Sequence, residues 1–197
     1  MNDIKYKIIV ILLLVIILIF YIYTFKKEVK YVMSDIDNVE YLVRDLKDSQ
    51  KAANMLARIK INIIKITKYL NKYKNSKYKE NKKYINQLLK NIKNVVMMEN
   101  GDNGTYTSYS VNKGEQLVFC LRSKKKKDKI HDINLIMYVV LHELAHVACP
   151  EYGHGLLFKK IFSFIADVAI ELKFYKKIEF EKDPMEYCGL MITDSIV

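Results

Sequence analysis

His142 and His146 stand four residues apart inside residues 133–147, a stretch that is apolar on every side of a helical projection. A helix without a polar face has to be enclosed by several neighbours, so the fold of this chain is built around that segment. Asp132 or Asn134 supplies an N-cap, and Pro150 stops the helix soon after His146. At a spacing of four, both imidazoles leave one face about a turn apart. Two imidazoles and the carboxylate of Glu143 buried among Leu, Val and Ala carry a large desolvation cost unless a metal ion compensates it. His142-Glu143-Leu144-Ala145-His146 is the H-E-x-x-H arrangement, in which the two imidazoles hold Zn2+ at ~2.0–2.1 Å and the carboxylate faces the open side of the ion.

A tetrahedral catalytic site takes a third protein ligand and leaves the fourth position to water. His154 is the favoured candidate: Glu151, Tyr152, Gly153 and Gly155 make a turn able to bring it back over the helix. Cys149 is the rival, although a cysteine in this setting more often packs as a small hydrophobe. His131 precedes the helix and reads as ordinary surface. With such a site, a zinc-activated water attacks a peptide carbonyl while Glu143 takes its proton as general base and passes it to the leaving amine. Tyr152 and Tyr187 are candidate oxyanion donors, and each fits a structural role as well. Asp167, on the helix that Leu156 opens, reads either as a partner for a ligand imidazole or as a solvent-facing carboxylate, and Glu186 as surface.

Residues 8–25 carry no charge over 18 positions. At ~1.5 Å per residue such a helix is about 27 Å long, near the ~30 Å of a hydrocarbon core. Tyr21 and Tyr23 would form an interfacial belt, with Lys26 and Lys27 beyond it. This predicts an uncleaved anchor over residues 1–25 and a single-pass membrane location. Lys5 and Lys7 balance Lys26, Lys27 and Lys30, which leaves the orientation open. Val29, Val32, Ile36, Val39, Val43 and Leu46 recur at helical steps, as do Ala52, Leu56, Ile59, Ile63, Ile66 and Leu70, so residues 26–83 are expected to be a helical stalk ending in the polar linker 71–83. A third helical stripe runs from Ile85 through Leu88, Leu89 and Ile92 to Val95 and Val96. Residues 106–111 and 116–121 then flank Asn112-Lys113-Gly114 as a β-hairpin. Residues 84–197 thus make the one compact domain.

Thirty-three Lys and Arg against 22 Asp and Glu give a formal charge of +11. The lysines are scattered among Asn, Ile and Tyr, so a nucleic-acid partner is not expected, and the compact run 124–127 reads as a solvated loop. Three cysteines leave at least one unpaired, which favours a reducing compartment; a Cys120–Cys188 pair stays open.

These residues resemble the SprT-like and WLM-type zincins, in which H-E-x-x-H is followed by a loop His and an aromatic residue at the start of the next helix, here Gly153-His154-Gly155-Leu156-Leu157-Phe158. From residue 110 onward the chain is similar to WLM-type metallopeptidases of nucleocytoplasmic large DNA viruses, through Val111-Asn112-Lys113-Gly114-Glu115, Cys120-Leu121-Arg122, Cys149-Pro150-Glu151 and Pro184-Met185-Glu186-Tyr187-Cys188-Gly189. The resemblance implies His142, His146 and His154 as zinc ligands, Glu143 as the catalytic residue, a viral or host membrane as location, and a protein or peptide as substrate. It also implies an α+β domain in which the hairpin packs beside the metal helix and its edge strand, taken as residues 116–121, aligns the substrate. The alternative is a membrane-anchored structural or interaction protein with a non-catalytic zinc site. Oligomeric state is not readable.

Overall fold

Twelve of the sixteen residues of one helix, Ile133–Ala148, are buried, as its all-round apolarity requires, and the remaining elements are arranged about it. The computed structural model describes residues 2–24, 28–101, 107–125 and 129–195. In chain order these form α1 (Asn2–Thr24), β1 (Val29–Met33), β2 (Glu40–Arg44), α2 (Ser49–Tyr73), a single 3-10 turn (Lys79–Asn81), α3 (Lys82–Asn91), β3 (Val96–Glu99), β4 (Tyr109–Val111), β5 (Gln116–Phe119), α4 (Ile133–Ala148), α5 (Leu156–Glu171), β6 (Met185–Tyr187) and β7 (Leu190–Ile192). The class is α+β, as expected.

Five strands make one sheet in the order β1-β2-β3-β5-β4. β1 with β2 and β4 with β5 are antiparallel, whereas β3 lies parallel to both β2 and β5. Tyr41, Val43, Met97, Leu117 and Phe119 are buried on these strands and join one core with the stripe of α2 and with α4 and α5. β6 and β7 form a separate hairpin, fastened to the end of β5 by a Cys120–Cys188 disulfide. Cys149 is the free cysteine, fully buried. The pairing that the sequence left open is therefore made.

Several expectations need correction. Among the described residues no helix is long and apolar enough to cross a membrane. The anchor over 1–25 and the single-pass membrane location are both overturned by that finding. The side chains of Tyr21 and Tyr23 and residues 26 and 27, which were to complete an interfacial belt, lie outside the described residues, as do residues 126 and 127 of the lysine run.

The first half of the expected stalk is a hairpin. Asn38 adopts a left-handed φ of 54°, Asp37 Oδ1 accepts the Val39 N–H at 3.2 Å, and Tyr41 donates its hydroxyl to Asp37 at 2.6 Å. Asp and Asn in such roles turn a chain that would otherwise have run on as a helix. Asn54 on α2 then fixes the loop, its Oδ1 accepting from Ser34 Oγ at 3.0 Å and from the Asp35 N–H at 2.9 Å. α2 keeps the predicted stripe, but Leu56, Ile59, Ile66 and Leu70 are fully buried in the common core. The stripe starting at Ile85 also divides: α3 stops at Asn91, and Val96–Glu99 enters the sheet as β3.

Arg122, 2% exposed, binds this sheet together. Its Nε donates to Glu99 Oε1 at 2.6 Å, its Nη1 pairs with Asp48 just before α2, and Glu99 Oε2 accepts the Arg44 N–H at 2.8 Å. The cluster joins β2, β3, the end of β5 and the start of α2.

Candidate metal centre

α4 is capped at its N-terminus by Asp132, whose carboxylate accepts the Asn134 N–H at 2.8 Å. His142 and His146 occupy the one stripe of α4 that reaches solvent, and Glu143 beside them is 5% exposed. After α4 the chain turns through residues 149–153, where Gly153 takes a φ of +79° that a side chain would resist, and delivers exposed His154 just ahead of α5. Phe158, in the first turn of α5, is 1% exposed and supports all three imidazoles. It stacks on His146 at 4.3 Å between centroids and meets His142 and His154 edge-on at 5.0 and 4.9 Å.

The three imidazoles converge. Nε2 of His142 lies 3.1 Å from Nε2 of His146 and 3.0 Å from Nε2 of His154, and the third side of the triangle is 3.1 Å. Each Nε2 carries one proton or one lone pair, so three of them facing one another cannot satisfy every edge by hydrogen bonding. Three lone pairs aimed at a common point can. A triangle of this size has a point ~2.0–2.1 Å from every corner, about 1 Å out of its plane, which is the bond length of zinc to imidazole. The residues therefore fit a divalent ion. Among the described residues they are the group of three or more metal-ligating side chains whose donor atoms come within 4.8 Å of one another. Burial, reinforced by the neighbouring imidazoles, lowers the pKa of His142 to about 3; burial together with His154 and Lys113 lowers that of His146 to about 4. Both are neutral at pH 7, as metal binding requires.

Glu143 stays outside the ligand set. Burial raises its pKa to about 7, opposed by a hydrogen bond from the Ser110 backbone N–H of β4. It lines a cleft of about 430 Å³ with the three histidines; Ser108, Tyr109 and Ser110 form one wall, and Glu151, Tyr152 and Gly153 belong to the other.

The remaining candidates are placed as follows. Cys149 is fully buried and outside the histidine cluster. Tyr152 is 87% exposed on the rim. Tyr187 is buried behind the cleft, its hydroxyl donating to the Cys120 carbonyl at 2.8 Å and bonded to Ser108 Oγ at 2.6 Å, so its polar atom is already engaged. His131 is no bystander, since its Nε2 accepts the Cys188 N–H at 3.2 Å. Asp167 is exposed on α5. Glu186 accepts from Ser123 Oγ and, at 2.6 Å, from the Gly189 N–H, holding the β6–β7 turn. The edge strand must be reassigned: β5, expected to align a substrate, is paired on both sides, and β4 is the edge beside the cleft. Sequence reasoning missed Ser110 and Lys113 as members of the site; their position at the end of β4 and in the hairpin turn was legible, but what they reach was not.

No protein-family model matches the chain. It is 49% identical over 172 residues to "Uncharacterized protein R325" of Acanthamoeba polyphaga mimivirus, an alignment covering 87% of this chain and 86% of the relative. A protein of Invertebrate iridescent virus 6, "Uncharacterized protein 136R", matches at 41% identity over 69 residues, which is 34% of this chain and 38% of that one. "Uncharacterized protein 042R" of Invertebrate iridescent virus 3 matches at 39% over 84 residues, 42% and 50% of the two chains. Superposition on the crystal structure of Wss1 from Saccharomyces cerevisiae covers 66% of this chain and 87% of that one, with 18% identity and a TM-score of 0.48. High identity along nearly the full length of both chains shows the kinship: this chain belongs to the family of the mimivirus protein R325.

Proposed function

We propose that this protein is a zinc-dependent peptidase that hydrolyses peptide bonds in the cleft between β4 and the residue 149–154 loop. The observation that carries the reading is the convergence of three imidazoles, with Nε2 atoms 3.0–3.1 Å apart, next to a buried carboxylate that is not one of the three. His142, His146 and His154 would hold the ion, which when bound supplies Lewis acidity to a carbonyl and acidifies water.

The chain's own residues do the rest. Glu143 sits in a desolvated pocket that raises its proton affinity, and the Ser110 N–H fixes its carboxylate. Placed there it accepts a proton from the attacking water and returns it to the departing amine. β4 is the edge strand of the sheet on the cleft side, and an extended peptide laid along that edge would be held across the histidines by main-chain hydrogen bonds. An extended polypeptide is the substrate shape that this edge and an open cleft accept.

Metal analysis of purified protein, with peptide cleavage assayed in wild type and Glu143→Gln, tests the proposal. One equivalent of zinc in both, with cleavage in wild type alone, is the expected outcome. Cleavage at the same rate by the variant removes Glu143 as the base. One equivalent of zinc without cleavage of any unfolded protein or peptide library points instead to a site that only stabilises the fold.

A further inference from the structure

The turn between β4 and β5 puts a lysine where the metal-site loop needs a template. Asn112 and Lys113 both take left-handed φ, 47° and 57°, followed by Gly114 at 117°. Gly114 is pressed on the last turn of α4, where an added Cβ would lie 3.0 Å from Val147 Cγ1 and 3.3 Å from the Asn91 carbonyl. From this docked turn the Lys113 side chain crosses to the end of α4. Its Nζ donates to the carbonyl of Cys149 at 2.7 Å, of Glu151 at 3.0 Å and of Pro150 at 3.4 Å. The Tyr152 ring closes over the same ammonium, 4.3 Å from Nζ to centroid.

An ammonium has three donors, and all three are spent on successive carbonyls of one loop. That commitment leaves none for a substrate oxygen, so Lys113 is not the oxyanion donor despite lining the cleft. It fixes instead the path of residues 149–152, which continues through Gly153 into His154. Of the three imidazoles, His154 is the exposed one and the one carried by a loop; the other two ride on a buried helix. We propose that Lys113 is a positioning residue for His154: its ammonium shapes the 149–152 loop so that the third imidazole meets the other two. The proposal rests on reading the three histidines as a metal site, and it is independent of whether that site cleaves peptides.

Zinc affinity, measured by competition with a chromophoric chelator, decides the matter when Lys113→Met is made in the wild type and in His154→Ala. Expected is a loss of about 10–100-fold in the wild-type background, the usual effect of removing a group that orients a ligand, and less than twofold once His154 is absent, because the two act as one unit. Substituting Co2+ should show the same pattern in its visible absorption, with Lys113→Met resembling His154→Ala. Lys113→Gln retains two N–H donors and should fall between; it serves as the test if Lys113→Met does not fold. Wild-type affinity in both Lys113 variants overturns the proposal. So does an equal loss in the two backgrounds, which would mark Lys113 as a general stabiliser. A wild type that binds no zinc overturns it together with the metal reading, whereas tight zinc binding without peptide cleavage removes the peptidase reading and leaves the Lys113 comparison to decide.

Discussion

Two polar clusters lie on either side of the hairpin formed by β4 and β5, and they resolve their burial in opposite ways. Around Arg122, a guanidinium meets Glu99 and Asp48, and the second Glu99 oxygen takes a backbone N–H; opposite charges are matched inside the cluster. Around His142, three groups of the same kind face one another and a carboxylate of raised pKa lies alongside. The first cluster has its opposite charges paired as it stands. The second is a set of donors that a cation would complete. This difference separates a cluster that holds the fold from the one to which chemistry is assigned under the proposed function, and the variants below disturb them one at a time.

The largest expected effect is on activity. Glu143→Gln should lower kcat/KM for peptide hydrolysis roughly 10²–10⁴-fold, the range for loss of a general base, with zinc content retained and thermal stability kept, since a desolvated carboxyl is exchanged for a neutral amide of equal size. Next comes Arg122→Met, which strands Glu99 in a site where burial already raises its pKa. Removing one partner of a buried ion pair costs about 3–5 kcal/mol, measurable by urea unfolding. The fraction that remains folded should bind zinc as tightly as wild type; an affinity lowered tenfold would show that the two clusters are coupled.

The disulfide tests whether that separation is complete. Cys120 lies two residues before Arg122, while Cys188 follows Tyr187, whose hydroxyl bonds Ser108 in the cleft wall. Closing a loop of sequence separation 68 stabilises by about 4 kcal/mol in the chain-entropy account. Cys120→Ser with Cys188→Ser should lower stability by that amount and leave zinc affinity within a few fold, because no histidine is carried by the tethered hairpin.

The parts of this molecule that were legible in the sequence are those whose signal is local. α4 followed from an all-round apolar run, the shared face of His142 and His146 from a spacing of four, and the β4–β5 turn from Asn112-Lys113-Gly114. What escaped depends on distant partners. Val29, Val32, Ile36, Val39, Val43 and Leu46 satisfy helical spacing, yet Asp37 and Asn38 turn the chain and β2 finds β3 more than fifty positions later, at Leu42 opposite Met98. Strand order is non-local in the same sense: β5 became interior because β3 inserts beside it in parallel, which moved the edge to β4. Cys120 with Cys188 could not be chosen from three cysteines without knowing which ends meet. Lys113 was visible as a turn residue, but the carbonyls it holds belong to another element.

The smallest expected effect is a slope, and it sharpens the contrast between the clusters because the histidine cluster holds groups shifted in opposite directions. In the metal-free protein His142 and His146 have pKa values lowered from 6.5 to about 3 and about 4. Below 6.5 the unfolded chain takes up two protons there that the folded chain refuses, so these groups make stability fall as the pH falls. Glu143 has the opposite sign. Its pKa is raised from 4.5 to about 7, so between those values the folded chain keeps a proton that the unfolded chain loses, and its contribution falls as the pH rises. Between pH 4.5 and 6.5 the sum is a net excess of one proton in the unfolded state, hence a shallow loss of stability on acidification from this site. Glu143→Gln removes the opposing group and leaves an excess of two. Urea unfolding of the metal-free proteins across that interval should therefore give a steeper pH dependence in the variant by about one proton, against an unchanged background from every other carboxylate. Parallel slopes would mean that Glu143 is already ionised in the folded protein at pH 5, and its assignment as a desolvated base would fail.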